Sequence, residues 1–447
     1  MKKPLSSEYI NEQRRNYSLY ILENRAIPAV TDGLKTAGRR ALWMARNGTK
    51  YKTATLAGAT LPIHPHDSPE GAINTLAGPY MNNIPLFHGD GAFGTLLDPK
   101  AFGAARYTSV KTSKFTNDVI FKDIEVVPMR ENYDGTLEEP VHFLPLVPIV
   151  LLNGSDGIVV GFKSTILPRS LEELIVGQLT HLKTGKKFTE PFPKFLPTDN
   201  AAYEREEGEK SIFFYFQGDY EQVDGVTARI TKLPYGLTHS DFSSHLDKLV
   251  EKGIVIDYVD NSKNKINVMV KFKKGNLRGR DKEDVLKTLG LIARSGEILN
   301  VLDFEGKRIW SPTPSDLIRE FTDWRLKWYV KRYERLRDML KLELQRYYDV
   351  RLAIKHKVGA IATKTASRSE LKELLGQLKI VNVDYIADLP VYRFTEEEKD
   401  KNEERIKGEK QLKEYLNLLS NEGERRKVYV AELQDILTKY NKGTYNE

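Results

Sequence analysis

Two histidines in the stretch "HPHDS" carry the first side chains that could take part in chemistry. His64 and His66 are two positions apart, and the nearest further histidine is His88. A metal site would need additional ligands close by, so zinc is disfavoured here. In a basic, glycine-rich neighbourhood these imidazoles could donate to a phosphate or pass a proton, with histidines held in an ordinary loop as an equal alternative.

Three glycines in "HGDGAFG" match the G-x-G-x-x-G pattern of dinucleotide-binding proteins at Gly89, Gly91 and Gly94. That pattern needs a helix opening on its last glycine and an acidic residue about 20 positions further on. Pro99 interrupts the expected helix, and the segment 109–115 contains no acidic residue. We therefore predict a tight loop whose backbone approaches a group such as a phosphate, and no nucleotide cofactor.

The stretch "FGAARYTSV" places Tyr107 directly after Arg106. A tyrosine hydroxyl, with an ordinary pKa near 10, attacks a phosphodiester only if a proton acceptor and positive charge are close by. Arg106 can supply that charge and a fork of donors matched to phosphate oxygens. These letters alone do not distinguish Tyr107 from the rest of the chain's 22 tyrosines.

Short helices are predicted around these residues. The first covers 31–48 with Thr31 or Asp32 as its cap, the second covers 53–60, and the third begins at Ser68. The basic residues of the first helix should lie mostly away from its apolar stripe; they are Lys35, Arg39 and Arg46. Three short helices, one of them strongly basic, suit a helix-turn-helix or winged-helix module, or a helical domain with a solvated basic face.

Composition narrows the possible partners and compartments. The chain has 447 residues, a net charge of +7 and an isoelectric point near 9.0, which favour several cores and an anionic partner such as nucleic acid. It contains no cysteine, so disulfides and thiolate metal sites are excluded. Its most apolar run, at 141–152, is short and contains two prolines. We therefore predict a cytoplasmic protein without a membrane span.

Seven segments resemble, in the same order and at about the same spacing, motifs of the breakage-reunion subunit of type IIA DNA topoisomerases, the A-subunit type of DNA gyrase and topoisomerase IV. They are DGLKTAGRR at 32–40, HPHDS at 64–68, HGDGAFG at 88–94, AARYTS at 104–109, NYDGT at 132–136, LLNGSDGIVVGFKSTILP at 151–168 and ITKLPYG at 230–236. The chain stops at Glu447, which resembles the compact form of T-even phages without the DNA-wrapping domain of gyrase. That compact form predicts ATP-dependent relaxation rather than active negative supercoiling.

The resemblance implies a cutting and rejoining reaction on duplex DNA. Tyr107 would form a transient 5′-phosphotyrosyl link, giving a four-base staggered double-strand break through which another duplex passes. This would relax and decatenate DNA. The catalytic residues implied by position are Arg25, Arg40, His64, His66, Arg106 and Tyr107. Lys35 and Arg39 would contact the DNA backbone, and Ile166 matches the isoleucine that wedges between base pairs.

The predicted fold is multidomain α/β, of the α+β kind. Its parts are a partner-contacting N-terminal helical arm at 1–26, a winged-helix breakage-reunion domain at 27–168, an α+β tower domain at 169–312, a long antiparallel coiled coil at 313–354 and 396–442, and a small helical dimerisation knob at 355–395. The tower interpretation uses strand-like runs at 211–217, 225–234 and 266–275. The coiled coil uses the amphipathic stretch 316–354, which contains neither Gly nor Pro.

The cofactors of the family reaction are expected on another chain. Family metals sit on a Glu and a D-x-D cluster of a Toprim domain, and this sequence has neither a D-x-D nor a phosphate-binding P-loop. A gyrase B-like ATPase/Toprim partner would therefore bind Mg²⁺ and ATP, and the chain would act as a homodimer joined at the knob, the C-gate. Three positions depart from the family pattern: Thr31, Ala105 and the "DS" after the second histidine. A non-catalytic DNA-organising protein or another tyrosine strand transferase stays as the alternative.

Overall fold

The computed structural model describes most of the chain in two compact units. Described are residues 13–14, 27–65, 69–159, 161–209, 211–274, 277, 279–395, 397–398, 400–401, 404 and 409–445. The first unit comprises residues 1–325 and 430–447, and the second comprises residues 326–429. Two predicted site residues, Arg25 and His66, lie outside the described residues, as does the predicted arm except for residues 13–14. Within the described ranges, no helix is long and apolar enough to cross a membrane.

Residues 27–168 combine short helices with small antiparallel sheets. The helices are α1 (Thr36–Met44), α2 (Thr53–Thr60), α3 (Glu70–Ala77) and α4 (Ile149–Asn153). The strands are β1 (Tyr51–Lys52), β2 (Phe87–Asp90), β3 (Ser109–Thr112), β4 (Met129–Glu131), β5 (Glu138–Pro140), β6 (Ser155–Val159) and β7 (Phe162–Ile166). Strands β1, β3 and β2 form one sheet in that order, while β4 pairs with β5 and β6 with β7. The three predicted short helices are therefore confirmed.

Helix α1 begins later than its sequence pattern predicts. Lys35 occupies the N-cap position and makes no side-chain capping bond. The carboxylate of Asp32 accepts instead from the backbone N–H groups of Leu34 at 3.1 Å and Phe143 at 2.9 Å. The predicted cap at Thr31 or Asp32 is wrong because the Asp32 carboxylate is buried and fastens the loop before the helix.

The glycine-rich segment after β2 forms the predicted tight loop. Gly91 and Gly94 have φ angles of +111° and +94°, which L side chains rarely adopt. A Cβ at Gly94 would lie 2.3 Å from the carbonyl oxygen of Pro99. Strand β2 pairs antiparallel with β3, and no helix occurs in residues 91–103. This is not the strand, turn and helix arrangement that holds a dinucleotide.

The described residues between 169 and 312 form two four-stranded antiparallel sheets, one two-stranded sheet and three α-helices. The strands are β8 (Lys194–Phe195), β9 (Asn200–Glu207), β10 (Ile212–Gln217), β11 (Asp219–Gln222), β12 (Thr227–Lys232), β13 (Val255–Asp260), β14 (Val268–Phe272), β15 (Ile292–Glu297), β16 (Val301–Leu302) and β17 (Ile309–Trp310). The helices are α5 (Leu171–Thr184), α6 (His239–Glu251) and α7 (Lys282–Thr288). One sheet has the order β15-β10-β9-β8 and the other β11-β12-β14-β13.

The strand predictions for this region are confirmed at β10, β12 and β14. Alternation in β14 buries Val268, Val270 and Phe272 on one face. These side chains share a core with buried residues of α6 and α7, such as Phe242 and Val285. The mixed α/β class is thus confirmed, because a sheet covered by helices on its apolar face forms this part of the chain.

The second unit is helical. Its elements are α8 (Pro314–Lys355), which begins in the first unit, α9 (Val358–Ala362), α10 (Arg368–Gln377), α11 (Val383–Ala387), α12 (Glu409–Ser420) and α13 (Glu422–Asn441), which ends in the first unit. Along α8, Tyr329 packs on Tyr429 with ring centroids 5.2 Å apart, and Tyr333 packs on Tyr415 at 5.7 Å. From Tyr329 to Tyr333 the partner residue changes from Tyr429 to Tyr415, so the contacting segments run in opposite directions. In the described part of the predicted returning segment, 396–442, Asn421 separates α12 from α13.

Residues 355–395 form the predicted small helical knob. Helices α9, α10 and α11 pack around one apolar cluster with the end of α8; its buried members are Val350, Ala353, Val358, Leu375, Ile380 and Ile386. Buried Asp349 on α8 accepts from the backbone N–H groups of Val381 at 3.1 Å and Asn382 at 2.7 Å. This carboxylate orders the start of α11, where the backbone amides have no helical partner.

Candidate functional site

Tyr107 lies on an exposed turn just before β3. Its backbone N–H donates to the carbonyl oxygen of Ala104 at 2.8 Å, and the residue is 71 % exposed. The guanidinium carbon of Arg106 lies 4.7 Å from the centroid of the Tyr107 ring. The fold therefore presents a tyrosine and an arginine together to solvent, with the cation next to the aromatic ring.

The N-terminus of α2 holds this turn. The backbone N–H groups of Thr53 and Ala54 donate to the carbonyl oxygens of Thr108 at 3.1 Å and Ala105 at 3.2 Å. The buried Thr53 and Thr108 hydroxyls are also hydrogen-bonded at 2.7 Å. Because first-turn amides of a helix have no partner within the helix, these bonds fix the backbone on both sides of Tyr107. The exposed phenol is thus mounted on an ordered support.

A cleft of about 600 Å³ brings together four of the predicted site residues. Lys35, Arg40, His64 and Ile166 all line it. The sequence prediction missed other polar lining residues, namely Asn82, Lys100 and Tyr235. Arg106 and Tyr107 do not line this cleft, so the fold divides the predicted site residues between the cleft and the Tyr107 turn.

Arg40 is held in the cleft by a carboxylate 99 residues away. Its Nε and Nη2 donate to the two carboxylate oxygens of Glu139 at 2.6 and 3.1 Å. Arg130 Nε also donates to Glu139 at 3.1 Å. Burial raises the pKa of Glu139, but the two arginines outweigh burial and hold that pKa below its usual 4.5. Glu139 was not predicted, because nothing in the local pattern of "TLEEP" marks which acid pairs with Arg40.

Glu139→Gln is expected to destabilise the first unit by about 1–3 kcal/mol at neutral pH, since a nearly buried guanidinium loses its charged partner. The pKa of Glu139 is lowered in the folded chain, so its stabilisation is present above about 4.5 and is lost as pH falls through the folded pKa. Urea unfolding should therefore give a larger free energy of unfolding for wild type than for Glu139→Gln at neutral pH, and this difference should decrease steadily below about pH 4.5. A difference that stays constant with pH would contradict this role of Glu139.

His64 is positioned by the "NYDGT" turn. The His64 and Tyr133 rings meet edge to face with centroids 5.6 Å apart. Asn132 Nδ2 donates to the carbonyl oxygen of Pro62 at 3.1 Å, and Asn132 Oδ1 accepts from the backbone N–H of Thr136 at 3.0 Å. One asparagine therefore closes its own turn and ties it to the segment that carries His64.

The sequence comparison agrees with this combination of an exposed Arg-Tyr turn and a basic cleft. Residues 25–434 match the family described as the A subunit of DNA gyrase and topoisomerase IV. The chain belongs to this A-subunit family. The match covers the cleft, the Tyr107 turn and the knob.

Individual relatives differ in how much of their length this chain spans. The DNA topoisomerase medium subunit of Enterobacteria phage T4 is 31 % identical over 428 residues, covering 91 % of this chain and 93 % of the relative. The DNA gyrase A subunit of Thermotoga maritima is 31 % identical, covering 56 % of this chain and 34 % of the relative. DNA topoisomerase 2 of Arabidopsis thaliana is 29 % identical, covering 76 % of this chain and 24 % of the relative.

Two basic residues of this A-subunit-type chain lie in different environments. Lys35 lines the cleft and donates to the backbone carbonyl oxygen of Asp156. Burial lowers the pKa of Lys35, and the nearby Asp156 charge offsets part of that effect. Arg39 is buried, with Nε and Nη2 bonded to the Asp32 carboxylate at 2.7 and 2.9 Å. The prediction that Arg39 lies mostly away from the apolar side of the helix is wrong, because its guanidinium is buried against Asp32. Its contact with the DNA backbone stays a prediction.

Ile166, predicted to wedge between base pairs, is only 3 % exposed at the end of β7. It lines the cleft but is packed at the base of the β6–β7 hairpin, and Leu167 N–H donates to Glu297 at 2.9 Å. Towards the hairpin end, Ile158 is 79 % exposed and Phe162 is 46 % exposed. Insertion of Ile166 into a base stack would therefore require this side chain to leave its packed position.

The described residues hold no clustered set of metal ligands. Within the described ranges, no group of three or more His, Asp or Glu side chains is placed to hold a metal ion. Mg²⁺ is often bound by only one or two carboxylates together with phosphate oxygens and water. A Mg²⁺ ion bound here would therefore need oxygen ligands from outside the described residues.

Proposed function

We propose that this chain is the DNA-cleaving and rejoining subunit of a type IIA topoisomerase, with Tyr107 as its nucleophile. The observation that carries the proposal is the exposed Tyr107 phenol, on a turn fixed by α2 and with Arg106 beside its ring. The aromatic ring is not needed for packing there, since its side chain faces solvent. An ordered, exposed hydroxyl beside a guanidinium is suited to attack on a phosphodiester.

The proposed reaction conserves the energy of the broken phosphodiester bond in a covalent bond between Tyr107 and the DNA. Tyr107 Oη attacks phosphorus and gives up its proton to an acceptor, while the bond from phosphorus to the 3′ oxygen breaks. The 3′ oxygen takes up a proton, and the 5′ phosphate remains esterified to Tyr107. Arg106 would donate to the non-bridging oxygens as charge accumulates on them. Reversal reseals the strand without ATP, because one phosphoester has replaced another.

The cleft is proposed to contact the DNA backbone beside the cleavage point. Lys35, Arg40 and His64 all line it, and each can donate to phosphate oxygens. Glu139 already orients the Arg40 side chain before DNA binds. Arg40 would therefore lose less conformational entropy on binding. His66 and Arg25 are proposed to join this group by their positions in the family motifs.

The remaining assignments follow from family membership. We assign a winged-helix cleavage domain to 27–168, a tower to 169–312 and a partner-contacting arm to 1–26. A gyrase B-like ATPase/Toprim subunit is proposed to bring Mg²⁺ and ATP, as the resemblance to the family implies. Strand passage through the break would relax and decatenate DNA.

The test of this function is covalent trapping. The full chain would be mixed with its ATPase/Toprim partner, Mg²⁺ and duplex DNA, denatured, digested and analysed by mass spectrometry. The expected result is a nucleotide joined through its 5′ phosphate to the Tyr107 peptide. The protein should be attached to the 5′ ends of breaks that are staggered by four bases. Duplex binding without any adduct would indicate a DNA-organising protein. Adducts on 3′ ends would indicate another kind of tyrosine strand transferase.

The knob is proposed to join two copies of the chain. Four of its apolar and aromatic side chains are exposed although its helices have their own core; they are Val381, Tyr385, Val391 and Tyr392. Val381 and Val391 are 68 % and 70 % exposed. Exposed apolar groups of this kind indicate a contact surface, and in a two-fold symmetric dimer the same surface of a second copy would cover them.

Val391→Asp combined with Tyr392→Asp is expected to weaken the dimer at least about 100-fold, because two apolar contacts are replaced by charges that would face each other. Light scattering over a dilution series would measure the dimer dissociation constant. Met339→Asp, at a 52 % exposed position on α8 outside the knob, is the control and should leave the dimer intact. A double variant that dimerises like wild type would exclude the knob as the contact.

A further inference from the structure

Lys52 lies next to the turn that carries the proposed nucleophile, and it is not one of the predicted site residues. It is the last residue of β1 and the N-cap residue of α2, and its side chain is exposed. Its Nζ lies 3.4 Å from the backbone carbonyl oxygen of Tyr107, at the long end of hydrogen-bonding distance. The turn that carries Tyr107 therefore has an ammonium group on the side of α2.

The neighbouring charges leave this ammonium group uncompensated. Lys50, two residues earlier, pairs with Asp90, and that ion pair is the largest reason why the pKa of Asp90 is lowered. Lys52 contributes only a weak charge effect on Asp90 and, among the described residues, forms no ion pair. Arg106 also forms none within the described ranges and is exposed. Two cations are thus available around the turn that carries Tyr107.

A carbonyl contact at 3.4 Å does not explain a charged side chain at this position. A weak, solvent-exposed hydrogen bond stabilises a fold very little, and burying or ordering a lysine side chain costs conformational entropy. An unpaired ammonium beside an exposed nucleophile can instead bind a phosphate oxygen as a compact point charge. Arg106 supplies a planar fork of donors, so the two side chains would have different and complementary roles.

We propose that Lys52 is a phosphate-binding residue of the cleavage site, with its ammonium on a non-bridging oxygen of the strand that Tyr107 attacks. The inference rests on the proposed function, since it takes Tyr107 as the nucleophile. Lys52 holds the strand against the turn before cleavage and keeps the phosphotyrosyl strand close afterwards. It therefore favours both formation and resealing of the link.

The first experiment measures charge contacts in duplex binding by the full chain. Fluorescence anisotropy with a fluorescein-labelled duplex would give the dissociation constant from about 50 to 200 mM KCl for wild type, Lys52→Ala, Lys52→Gln and Lys52→Arg. Loss of one phosphate contact should make the slope of log Kd against log salt shallower by about 0.9 in the Ala and Gln variants. Lys52→Arg should keep the wild-type slope.

Lys50→Ala is the matched control, since Lys50 is equally basic and two residues away but is paired with Asp90. Its salt slope should stay close to that of wild type. An unchanged slope in Lys52→Gln would overturn the inference. So would an equal change in Lys50→Ala, because a general basic surface and not a site at Lys52 would then explain the binding.

The second experiment measures covalent complex in the enzyme reconstituted with its ATPase/Toprim partner and Mg²⁺. Lys52→Gln should slow the formation of trapped complex about 10-fold, and Lys52→Arg should restore most of that rate. Gln keeps a hydrogen-bond donor but removes the charge, so a Lys52 with only a structural role would leave both readouts close to wild type. If wild type itself forms no adduct, the proposed function fails, while the salt slope still decides whether Lys52 binds phosphate.

Discussion

Tyr107→Phe is expected to lower covalent attachment to DNA by about 10⁴-fold or more, because the substitution removes the one oxygen that can form the ester. Folding and duplex binding should be unchanged. The residue is 71 % exposed, and the turn is held by backbone bonds that the substitution leaves in place. Denaturing gels of end-labelled duplex, incubated with the reconstituted complex and Mg²⁺, would measure the adduct.

The matched control for this variant is Tyr133→Phe. Tyr133 is also exposed, at 57 %, and lies in the same unit on the turn that contacts His64. Its ring contact does not need the hydroxyl, so adduct formation should stay within about twofold of wild type. Equal adducts from wild type and Tyr107→Phe would refute the assignment of the nucleophile, whatever the behaviour of Tyr133→Phe.

Glu297→Gln is expected to cause the largest loss of stability, about 3–5 kcal/mol, corresponding to a fall in Tm on the order of 10 °C. Glu297 accepts from Arg169 Nη1 at 2.9 Å and Nη2 at 2.7 Å, and from Leu167 N–H at 2.9 Å. The side chains of Arg169 and Glu297 are 0 % and 3 % exposed. Without the carboxylate, a guanidinium stays buried next to a neutral amide.

This ion pair also connects two parts of the first unit. Glu297 ends β15, while Leu167 and Arg169 directly follow β7, whose last residue is Ile166. Glu297→Gln should therefore loosen the base of the hairpin as well as lower the melting temperature. Circular dichroism during heating would measure the latter, and hydrogen exchange at Leu167 would measure the former.

The control for Glu297→Gln is Glu305→Gln. Glu305 pairs with Lys307, but both side chains are exposed, at 73 % and 75 %. Exposed pairs contribute about 0–1 kcal/mol, so the melting temperature should change by no more than about 2 °C. A similar small change in Glu297→Gln would contradict the inference that the buried pair stabilises the junction.

Much of the secondary structure could be predicted from local patterns. Residues 316–354 repeat apolar side chains every three to five positions without Gly or Pro, and the structure has α8 there. The strand-like alternation at 266–275 likewise appears as β14. These predictions succeeded because a helix or strand must place one face against a core, and that requirement leaves a period in the sequence. Asn421 divides the returning helix, which a charged and mostly polar stretch does not reveal.

The candidate site could be predicted only in part. The order of seven short segments indicated the family, and with it Tyr107, Arg106 and the histidine pair. The structure shows four predicted residues around one cleft and leaves Arg25 and His66 outside its described ranges. Lys52 could not be predicted, because it is 55 residues away from Tyr107 in the chain. The two residues come close only through the pairing of β1 with β3.

Arg39 and Arg40 show most clearly what the sequence determined and what the tertiary structure determined. The sequence by itself determined that two adjacent arginines lie on a basic helix, and adjacent helical positions point in different directions. Only the tertiary structure decided that Arg39 turns inward to Asp32 while Arg40 faces the cleft, held by Glu139. The physical reason is that burial and ion pairing depend on which distant segments pack together. Local spacing determines the face of a helix, and packing determines what that face meets.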